Sequence, residues 1–429
     1  MNIETIHSLF LKCNSVSIDT RKIQPNSFFI AIKGEHFDAN TFSKEAIEKG
    51  ASYVIIDNES FYIDDRTILV NNSLTTLQEL AKFHRKYLKI PIIALTGSNG
   101  KTTTKELINV VLSKKFKTKA TIGNLNNHIG VPLTLLSFSS KTEIGIVEMG
   151  ANHQKEIEFL CKIAQPDFGY ITNFGKAHLE GFGGVEGVIK GKSEMYAYLL
   201  QNKKIAFLNL DDSIQIQKTH NLNTYSFGVN KTYANVNITN IKANPFVEVY
   251  FSKTHVVSHL IGLYNANNIN AAITIGKYFN IAESEIKDAL ESYIPDNNRS
   301  QLMQIKSNEI ILDAYNANPS SMALALSNFI QLNKKNKMVV LGDMFELGDQ
   351  SIKEHKEIIN LLLDEDETIC YFVGKYFYQN KIEKSNFNFY ETFETFSIDF
   401  QKKHFVNTLI LIKGSRGMAL ERTLELISE

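Results

Sequence analysis

The feature that most constrains this chain is a glycine-rich loop placed between a strand and a helix. The apolar run Ile92–Thr96 predicts a buried strand, the segment Gly97–Thr102 forms the loop, and helix-forming residues follow directly. Glycines let backbone N–H groups converge on one anion, and the helix N-terminus adds partial positive charge. The pattern therefore predicts a phosphate-binding loop at the edge of a parallel α/β sheet.

Two side chains of this loop carry specific expectations. Lys101 would contact the β- and γ-phosphates of a nucleoside triphosphate, and the hydroxyl of Thr102 would bind Mg²⁺. The loop is shorter than the common form, because Leu95 stands where that form has its first glycine and Gly97 is the first glycine here. A strand–turn–helix junction that binds nothing is the alternative interpretation.

Length and composition describe an ordinary globular chain. It has 429 residues, of which 43% are hydrophobic and 21% charged, and this length predicts roughly two to three domains. Lys and Arg together number 46, as do Asp and Glu, so the net charge is zero. A nucleic-acid-binding protein would usually carry a basic excess. The composition therefore favours small-molecule substrates and no nucleic-acid partner.

Three observations predict a cytoplasmic protein. The only cysteines, Cys13, Cys161 and Cys370, are odd in number and scattered, which favours a reducing compartment over disulfides or a zinc site. The N-terminal residues Met1–Thr5 lack the basic and apolar regions of a signal peptide. No run approaches the roughly 20 apolar residues that a membrane helix needs. We therefore expect no membrane segment.

Alternating strand-like and helix-like runs predict an α/β protein of three domains, at residues 1–88, 89–299 and 300–429. They are a small α/β domain, a central ATP-binding domain with a parallel sheet, and a Rossmann-like domain without a dinucleotide fingerprint. The expected strands are 27–32, 53–57, 92–96, 144–148, 168–172, 205–209, 309–312, 338–341, 368–373 and 408–412, with a β-rich insert at 222–260. The expected helices are 43–50, 74–88, 266–278, 282–293, 320–332, 351–363 and 418–427.

Polar residues follow two of the expected central strands. Glu148 ends one strand, Asn173 follows the next, and His178 lies in the loop beyond it. Ligands of parallel sheets bind at the carboxyl edge of the strands, and Mg²⁺ prefers oxygen donors there. Glu148 is thus a candidate metal ligand, with a salt-bridge partner as the alternative. A plain hydrogen-bonding role is the alternative for His178.

Three further segments are candidates for binding. The amide-rich segment Gly123–Pro132 is either a turn or a substrate-binding loop. Lys192 alone would be a solvated lysine on a helix face. The segment Lys413–Gly417 joins glycines, a hydroxyl and two cations ahead of an expected helix, which suits an anionic ligand. A simple β–α turn is the alternative for that last segment.

With these segments placed, the chain resembles the Mur ligase superfamily over essentially its whole length. The phosphate loop of the family is similar to Thr96, Gly97, Ser98, Asn99, Gly100, Lys101 and Thr102. Its metal-binding glutamate matches Glu148 in Glu148–Ala151, and its metal-binding histidine matches His178 in Ile171–Glu180. The lysine that these ligases carbamylate with CO₂ matches Lys192. Gly191 stands before it where alanine is common.

The resemblance also implies contacts with ATP and with the other substrates. The residues it assigns to ATP outside the loop are Asn268, Arg299 and Asp313; in the segment Gly262–Asn268, Tyr264 replaces the usual histidine. The residues it assigns to the other substrates are Asp19, Thr20, Arg21, Asn126, Asn127, Lys413, Ser415 and Arg416. A second UDP-sugar segment, 34–40, has Ala39 where glycine is usual.

Three segments resemble one member of the family in particular, which joins D-alanyl-D-alanine to UDP-N-acetylmuramoyl-tripeptide. They are 313–322, 341–348 with His355, and 413–416. The Asp-Asn-Pro-Arg motif of the diaminopimelate-adding relative is missing from the sequence. The third residue of the peptide, lysine or diaminopimelate, is left open.

The resemblance implies an ATP-dependent amide-bond ligation through an acyl phosphate, in the cytoplasmic synthesis of peptidoglycan precursors. Lys101, Glu148, His178 and Lys192 would form the catalytic set. Thr102 and Glu148 would bind one Mg²⁺, and His178 with carbamylated Lys192 a second. We expect a monomer whose third domain closes on ATP. The alternatives are another ligase of the superfamily, such as folylpolyglutamate synthase, and a nucleotide-binding regulatory or scaffold protein.

Overall fold

A parallel sheet of four strands forms the N-terminal part of the computed structural model, which describes residues 1–428. The strands lie in the order β1 (Ser15–Ser17), β2 (Ser27–Ile30), β3 (Ala51–Ile56) and β4 (Thr67–Leu69). The helices are α1 (Ile3–Phe10), α2 (Ser43–Glu48) and α3 (Ser73–Leu88). Asn72 begins α3 because its Oδ1 accepts the N–H of Thr75 at 2.8 Å.

The central sheet has nine strands and carries the glycine loop in its middle. Its strands are β5 (Ile92–Thr96), β6 (Thr118–Ala120), β7 (Ile144–Glu148), β8 (Phe168–Ile171), β9 (Ile205–Asn209), β10 (Asn223–Val229), β11 (Val236–Ala243), β12 (Phe246–Phe251) and β13 (Thr254–Ile261). They lie in the order β13-β12-β11-β10-β9-β8-β5-β7-β6, parallel except for β11–β12 and β12–β13. Because β5 lies between β8 and β7, the residues after these three strands share one edge.

Helices cover both faces of the central sheet. They are α4 (Lys101–Leu112), α5 (Gly130–Leu136), α6 (Glu156–Ala164), α7 (Leu179–Phe182), α8 (Val185–Gln201), α9 (Ser213–Lys218), α10 (Ala266–Tyr278) and α11 (Glu283–Ser292). Ile92 and Ala94 of β5 belong to one apolar cluster with α3, α5, α6 and α8, whereas Ile93 and Leu95 belong to another with α4, α10 and α11. A strand buried on both faces explains the continuous apolar run before the loop.

The C-terminal sheet has six strands, and only its first pair is antiparallel. The strands are β14 (Gln301–Ile305), β15 (Asn308–Asp313), β16 (Asn336–Gly342), β17 (Thr368–Val373), β18 (Phe387–Tyr390) and β19 (Thr408–Lys413), in the order β14-β15-β19-β16-β17-β18. The helices are α12 (Pro319–Gln331), α13 (Ser351–Asn360), α14 (Lys375–Gln379), α15 (Phe393–Phe400) and α16 (Thr423–Ser428). Asp313 and Lys413 end neighbouring strands and are paired in register.

The α/β class and the expected strands are confirmed, each strand lying within two residues of its predicted ends. The predicted helix at 418–427 is wrong over its first half. Two short 3₁₀ turns, Arg416–Met418 and Leu420–Arg422, precede α16, and Ala419 between them has a φ of 48°. Leu420 is fully buried and its Cδ1 packs against Gly342 and Gly414. That contact turns the chain into the core, so no α-helix N-terminus follows Lys413–Gly417.

Helix α3 packs on α1 and also on α5 and α6 of the central sheet. We propose the domain boundaries at 88/89 and 299/300, which leave one sheet in each domain. Within residues 1–428, every helix is too short or too polar to pass through a lipid bilayer.

A buried pair of histidines lies where α3 joins the first domain to the second. Nε2 of His7 is 3.0 Å from Nδ1 of His84, and Nε2 of His84 is 3.0 Å from the carbonyl oxygen of Phe138. The carbonyl must accept, so His84 donates from Nε2 and its Nδ1 accepts from His7. This chain of hydrogen bonds requires the His84 ring to be neutral, because its Nδ1 must accept. Burial first, and then His84, lowers the pKa of His7 to about 4.

We expect the free energy of unfolding to fall by up to about 3 kcal/mol between pH 6.5 and pH 4 through His7. The unfolded chain binds a proton near pH 6.5, whereas the folded chain resists it down to about pH 4, so acid favours unfolding. Urea unfolding at several pH values measures this slope. His7→Gln should flatten it and His36→Gln, at an exposed position, should not. Equal slopes for His7→Gln and the unchanged protein would contradict the assignment.

Candidate functional site

A cavity of about 820 Å³ opens at the carboxyl edge of the central sheet and reaches the C-terminal domain. The predicted site residues that line it are Ser98, Asn99, Gly100, Lys101, Thr102, Asn126, Asn127, Glu148, His178, Asn268, Arg299, Asp313 and Lys413. The predicted residues outside its lining are Asp19, Thr20, Arg21, Thr96, Gly97, Lys192, Ser415 and Arg416. The fold thus gathers most of the predicted nucleotide and metal contacts in one place, from two domains.

The two glycines of the loop are required by space and by backbone conformation. A Cβ on Gly97 would lie 1.9 Å from Oγ1 of Thr172, and one on Gly100 would lie 2.5 Å from Oδ1 of Asn268. Gly100 directly precedes α4 and has a φ of 78°. Residues other than glycine rarely adopt this backbone conformation. The loop therefore lies close against its neighbours, and its Ser98 and Asn99 N–H groups donate to Asn173, at its carbonyl oxygen and its Oδ1.

Lys101 is the first residue of α4, and its side chain folds back over the loop. Its Nζ donates to the carbonyl oxygen of Gly97 at 2.8 Å and lies 3.4 Å from that of Ser98. Removal from water lowers the pKa of Lys101; Glu148 acts against this shift and Arg299 adds to it. The ammonium thus lies over the loop, where a bound phosphate would give it an anionic partner.

Glu148 ends β7 with one carboxylate oxygen unsatisfied. Its Oε1 accepts from Nδ2 of Asn126 at 2.8 Å, whereas its buried Oε2 has no hydrogen-bond partner among residues 1–428. The residue is 2% exposed, and no cation of the described chain lies within ion-pair distance. A desolvated carboxylate oxygen needs a positive partner. The donor chemistry, with the Thr102 hydroxyl in the same cavity, fits Mg²⁺ and does not support the salt-bridge alternative.

Asn126 and Asn127 have different roles in the amide-rich segment. Asn126 holds the Glu148 carboxylate, while Oδ1 of Asn127 accepts the N–H groups of Ile129 and Gly130 at 3.1 and 2.9 Å. The segment is therefore a turn that also lines the cavity. The two interpretations taken from the sequence are compatible here.

His178 reaches the cavity from the loop after β8. Its φ is 52°, and its Nδ1 is in close contact with Oε2 of Glu346, a residue of the C-terminal domain. Within the described chain, no three His, Cys, Asp or Glu side chains form a group that could hold a metal ion. A metal near Glu148 and His178 would therefore need other donors, such as a hydroxyl, a modified lysine or phosphate oxygens.

Lys192 is buried on α8, so the solvated-lysine interpretation is wrong. The residue is 0% exposed. Its Nζ lies 3.3 Å from the carbonyl oxygen of Ala151 and 5.1 Å from the ring centre of Phe182. Burial holds the pKa of Lys192 well below its usual value; Lys101 adds to this shift, while Glu156 and Glu194 act against it. The environment favours an uncharged, nucleophilic amine.

Tyr315, which the sequence does not single out within the segment 313–322, contacts two cations at the cavity. The guanidinium of Arg299 lies 3.7 Å from its ring centre and that of Arg416 lies 4.8 Å from it. Nε of Arg299 is buried without a hydrogen-bond partner among the described residues. The ring therefore places two predicted substrate contacts side by side. Its position directly after a strand end was the available sequence signal.

The part of the cavity around Asn268, the predicted ATP contact, is a network of amide and hydroxyl side chains. Asn268 donates from Nδ2 to Asn265 at 2.8 Å, and its Oδ1 accepts from the hydroxyl of Thr104 at 3.0 Å. The hydroxyl of Tyr264 lies 2.9 Å from Oγ of Ser300. Tyr264 thus connects the central domain to the segment that enters the third domain, at the position where the family usually has histidine.

Two of the three candidate substrate contacts in the C-terminal domain, Lys413 and Ser415, already form hydrogen bonds or ion pairs within the protein. Lys413 is 1% exposed and its Nζ lies 2.6 Å from Oδ2 of Asp313. Oγ of Ser415 accepts the N–H of Phe345 at 2.9 Å and is buried. Arg416 is exposed. Contacts of all three with substrate stay predictions.

Asp19, Thr20 and Arg21 lie apart, in the N-terminal domain. Oδ1 of Asp19 accepts the backbone N–H of Arg21 at 3.0 Å and begins the 3₁₀ turn Thr20–Lys22. Hydrogen bonds from the Arg21 side chain and backbone lower the pKa of Asp19 to about 2. Their role in binding a UDP-sugar stays a prediction.

Three domain families of Mur ligases match consecutive parts of the chain. The catalytic domain of the Mur ligase family matches residues 12–90, the Mur ligase middle domain matches residues 95–276, and the glutamate ligase domain matches residues 298–416. Together they cover most of the chain, in the order of the three sheets.

Individual relatives match over nearly the full length. The UDP-N-acetylmuramoyl-tripeptide–D-alanyl-D-alanine ligase of Bacillus subtilis is 34% identical over 95% of this chain and 92% of its own. A crystal structure of MurF from Acinetobacter baumannii is similar with a TM-score of 0.86 at 29% identity, covering 100% of this chain and 99% of that chain. The MurF ligase of Thermotoga maritima in complex with ADP has a TM-score of 0.83 at 26% identity and covers 98% of both chains.

Proposed function

The chain belongs to the Mur ligase family, and from this we propose that it joins D-alanyl-D-alanine to UDP-N-acetylmuramoyl-tripeptide at the expense of ATP, a step in peptidoglycan precursor synthesis. The cavity between the central and C-terminal domains carries this proposal. Its lining includes the phosphate loop, Glu148 and His178 of the central domain and Asp313 and Lys413 of the C-terminal domain. Two domains can thus hold a nucleotide and two further substrates around one reacting carboxylate.

The reaction consists of two displacements. A terminal carboxylate oxygen of the tripeptide attacks the γ-phosphorus of ATP, and the bond to the leaving ADP breaks. The amine of D-alanyl-D-alanine then attacks the carbonyl carbon of the acyl phosphate, and the tetrahedral intermediate releases phosphate as the amide forms and the amine loses its proton. Both steps depend on positioning and on charge neutralisation. Lys101 and the loop N–H groups supply charge complementary to the γ-phosphate.

The residues present fit the magnesium ions of this chemistry. Thr102 and the unpartnered Oε2 of Glu148 would hold one ion, and His178 with a carbamate on Lys192 would hold a second. Bound there, magnesium would offset the negative charge of the phosphates. Asn126 keeps the Glu148 carboxylate directed into the cavity through its hydrogen bond at 2.8 Å.

We further propose that Lys192 carries the carbamate. Its uncharged amine would attack the carbon of CO₂, a C–N bond would form, and the displaced proton would pass to water. The carbamate is an anion with oxygen atoms that could bind a metal ion. The free lysine amine provides only N–H hydrogen-bond donors and no such oxygen. Complete burial of Lys192 beside Ala151 and Phe182 supports the proposal.

The remaining assignments complete the substrate sites. Asp19, Thr20 and Arg21 would bind the UDP-sugar, and Asn127 with Asn126 would face the peptide. Lys413, Ser415 and Arg416 would lie near the dipeptide, while Asn268, Arg299 and Asp313 would fix ATP. We expect a cytoplasmic monomer.

Ligation is expected only when ATP, Mg²⁺, the UDP-tripeptide and D-alanyl-D-alanine are all present. Phosphate release and the mass of the UDP-pentapeptide measure it, and tripeptides with lysine or diaminopimelate at the third position compete for it. Folate and glutamate in place of these substrates test the folylpolyglutamate synthase alternative. Nucleotide binding without phosphate release under every condition would instead favour a regulatory protein.

A further inference from the structure

Glu346 of the C-terminal domain contacts the candidate metal-binding histidine of the central domain. Its carboxylate is in close contact with Nδ1 of His178, and its carbonyl oxygen accepts the N–H of Glu180 at 3.4 Å. The side chain of Glu346 is 52% exposed, whereas that of His178 is 21% exposed. The family resemblance assigns no role to this glutamate.

The loop that carries Glu346 is held firmly on its own domain. The N–H of Met344 donates to Nε2 of His355 at 2.9 Å, and the N–H of Phe345 donates to Oγ of Ser415 at 2.9 Å. Nδ1 of His355 in turn donates to the carbonyl oxygen of Ser351 at 2.6 Å. Glu346 itself has a φ of 63°, a sparsely populated conformation for a residue other than glycine, of the kind that clusters at functional sites.

The loop that carries His178 is held from the same domain. The N–H of Lys176 donates to Oγ of Ser320 at 2.8 Å, and Nζ of Lys176 lies 2.7 Å from the buried carboxylate of Glu354. His178 therefore meets Glu346 between two loops that are both fixed to the C-terminal domain. A chance surface contact would lack this support.

We propose that Glu346 is a positioning residue that orients His178 for metal binding, so that docking of the C-terminal domain completes the metal site. With a proton on Nδ1 directed to the Glu346 carboxylate, Nε2 would be the ligand atom. Metal-binding histidines commonly donate their second ring nitrogen to a carboxylate in this way. This inference rests on the proposed function.

The test compares Glu346→Ala, Glu346→Asp and Glu346→Gln with Glu357→Gln. Glu357 belongs to the same domain and lies 3.6 Å from Lys176, so it controls for a general loss of interdomain charge. Binding of Mn²⁺ in the presence of a non-hydrolysable ATP analogue is followed by electron paramagnetic resonance, and ligation is measured as a function of Mg²⁺ concentration. Thermal melting establishes that each variant is folded.

We expect the Ala and Asp variants to weaken Mn²⁺ binding by roughly 10- to 100-fold, and the Gln variant less, because its amide oxygen still accepts a hydrogen bond. Higher Mg²⁺ should restore much of the ligation rate. Glu357→Gln should change binding by about twofold or less. Unchanged Mn²⁺ binding in both the Ala and Asp variants, or an equal loss in Glu357→Gln, would overturn the inference. An unchanged protein that binds Mn²⁺ and does not ligate would instead refute the proposed function.

Discussion

Replacement of Lys101 by alanine is expected to lower kcat/KM for ligation by roughly 10³-fold. The ammonium is the one cation of the phosphate loop, and it already lies over the loop at 2.8 Å from the Gly97 carbonyl oxygen. Its charge interacts most strongly with the γ-phosphate as negative charge moves during transfer. The backbone N–H groups and the start of α4 remain in the variant, so binding of ADP should weaken far less than turnover.

Phosphate release over a range of ATP concentrations gives kcat/KM, and calorimetric titration with ADP gives the affinity, so the two effects are measured separately. Lys117→Ala is the matched control, because Lys117 is exposed and lies beyond the opposite end of α4. Lys101→Arg keeps the charge but changes its shape, and we expect it to stay well below the unchanged protein. Turnover of Lys101→Ala within about tenfold of the unchanged protein would contradict the role that the loop implies.

The sequence predicts the strands, the phosphate loop and the residues at the strand ends, because each of these depends on residues that are neighbours along the chain. The run Ile92–Thr96 is apolar because β5 is buried on both faces, and the loop after it needs Gly97 and Gly100 for space and conformation. Glu148 and His178 follow strands of the same parallel sheet, so the sheet itself brings them to one edge. For these residues, the apolar pattern and the position of the strand ends are enough to predict where they lie in the fold.

Contacts between domains are not encoded in local patterns. His178 meets Glu346 and Arg299 stacks on Tyr315 across domain boundaries, and neither pairing has a spacing that a sequence pattern could show. The helix expected at 418–427 fails for a related reason. Helical composition is overridden by burial of Leu420 against Gly342 and Gly414, a tertiary contact that breaks the chain into turns.

Lys192 shows where both kinds of information are needed. Its sequence surroundings are those of any helix-face lysine, and only the resemblance to Mur ligases marks it for modification. The structure adds the physical reason, because Lys192 is 0% exposed and, among residues 1–428, its amine has a backbone carbonyl and no carboxylate within ion-pair distance. A charged lysine buried in this environment destabilises the folded protein unless the amine is neutral or is modified to a group that binds a partner.

Lys192→Ala is expected to lower ligation by at least roughly 10²- to 10³-fold and to abolish a carbamate signal. The variant removes the amine that would carry the carbamate, so His178 would lose its proposed partner in holding the second metal. Nuclear magnetic resonance with ¹³C-labelled bicarbonate detects the carbamate on the unchanged protein. Ligation is then measured with CO₂ removed and restored, where activity should follow the carbamate.

Lys190→Ala is the matched control, because Lys190 lies two residues earlier on the same helix and is exposed. It should keep both the carbamate signal and full ligation, whereas a modification of any accessible amine would treat the two lysines alike. Excess CO₂ should not rescue Lys192→Ala, since no amine remains, but chloride or another small anion in the vacated space should restore part of the rate. Full phosphate release by Lys192→Ala would refute the carbamate, and loss of activity without any ¹³C signal on the unchanged protein would assign Lys192 a role as a free amine instead.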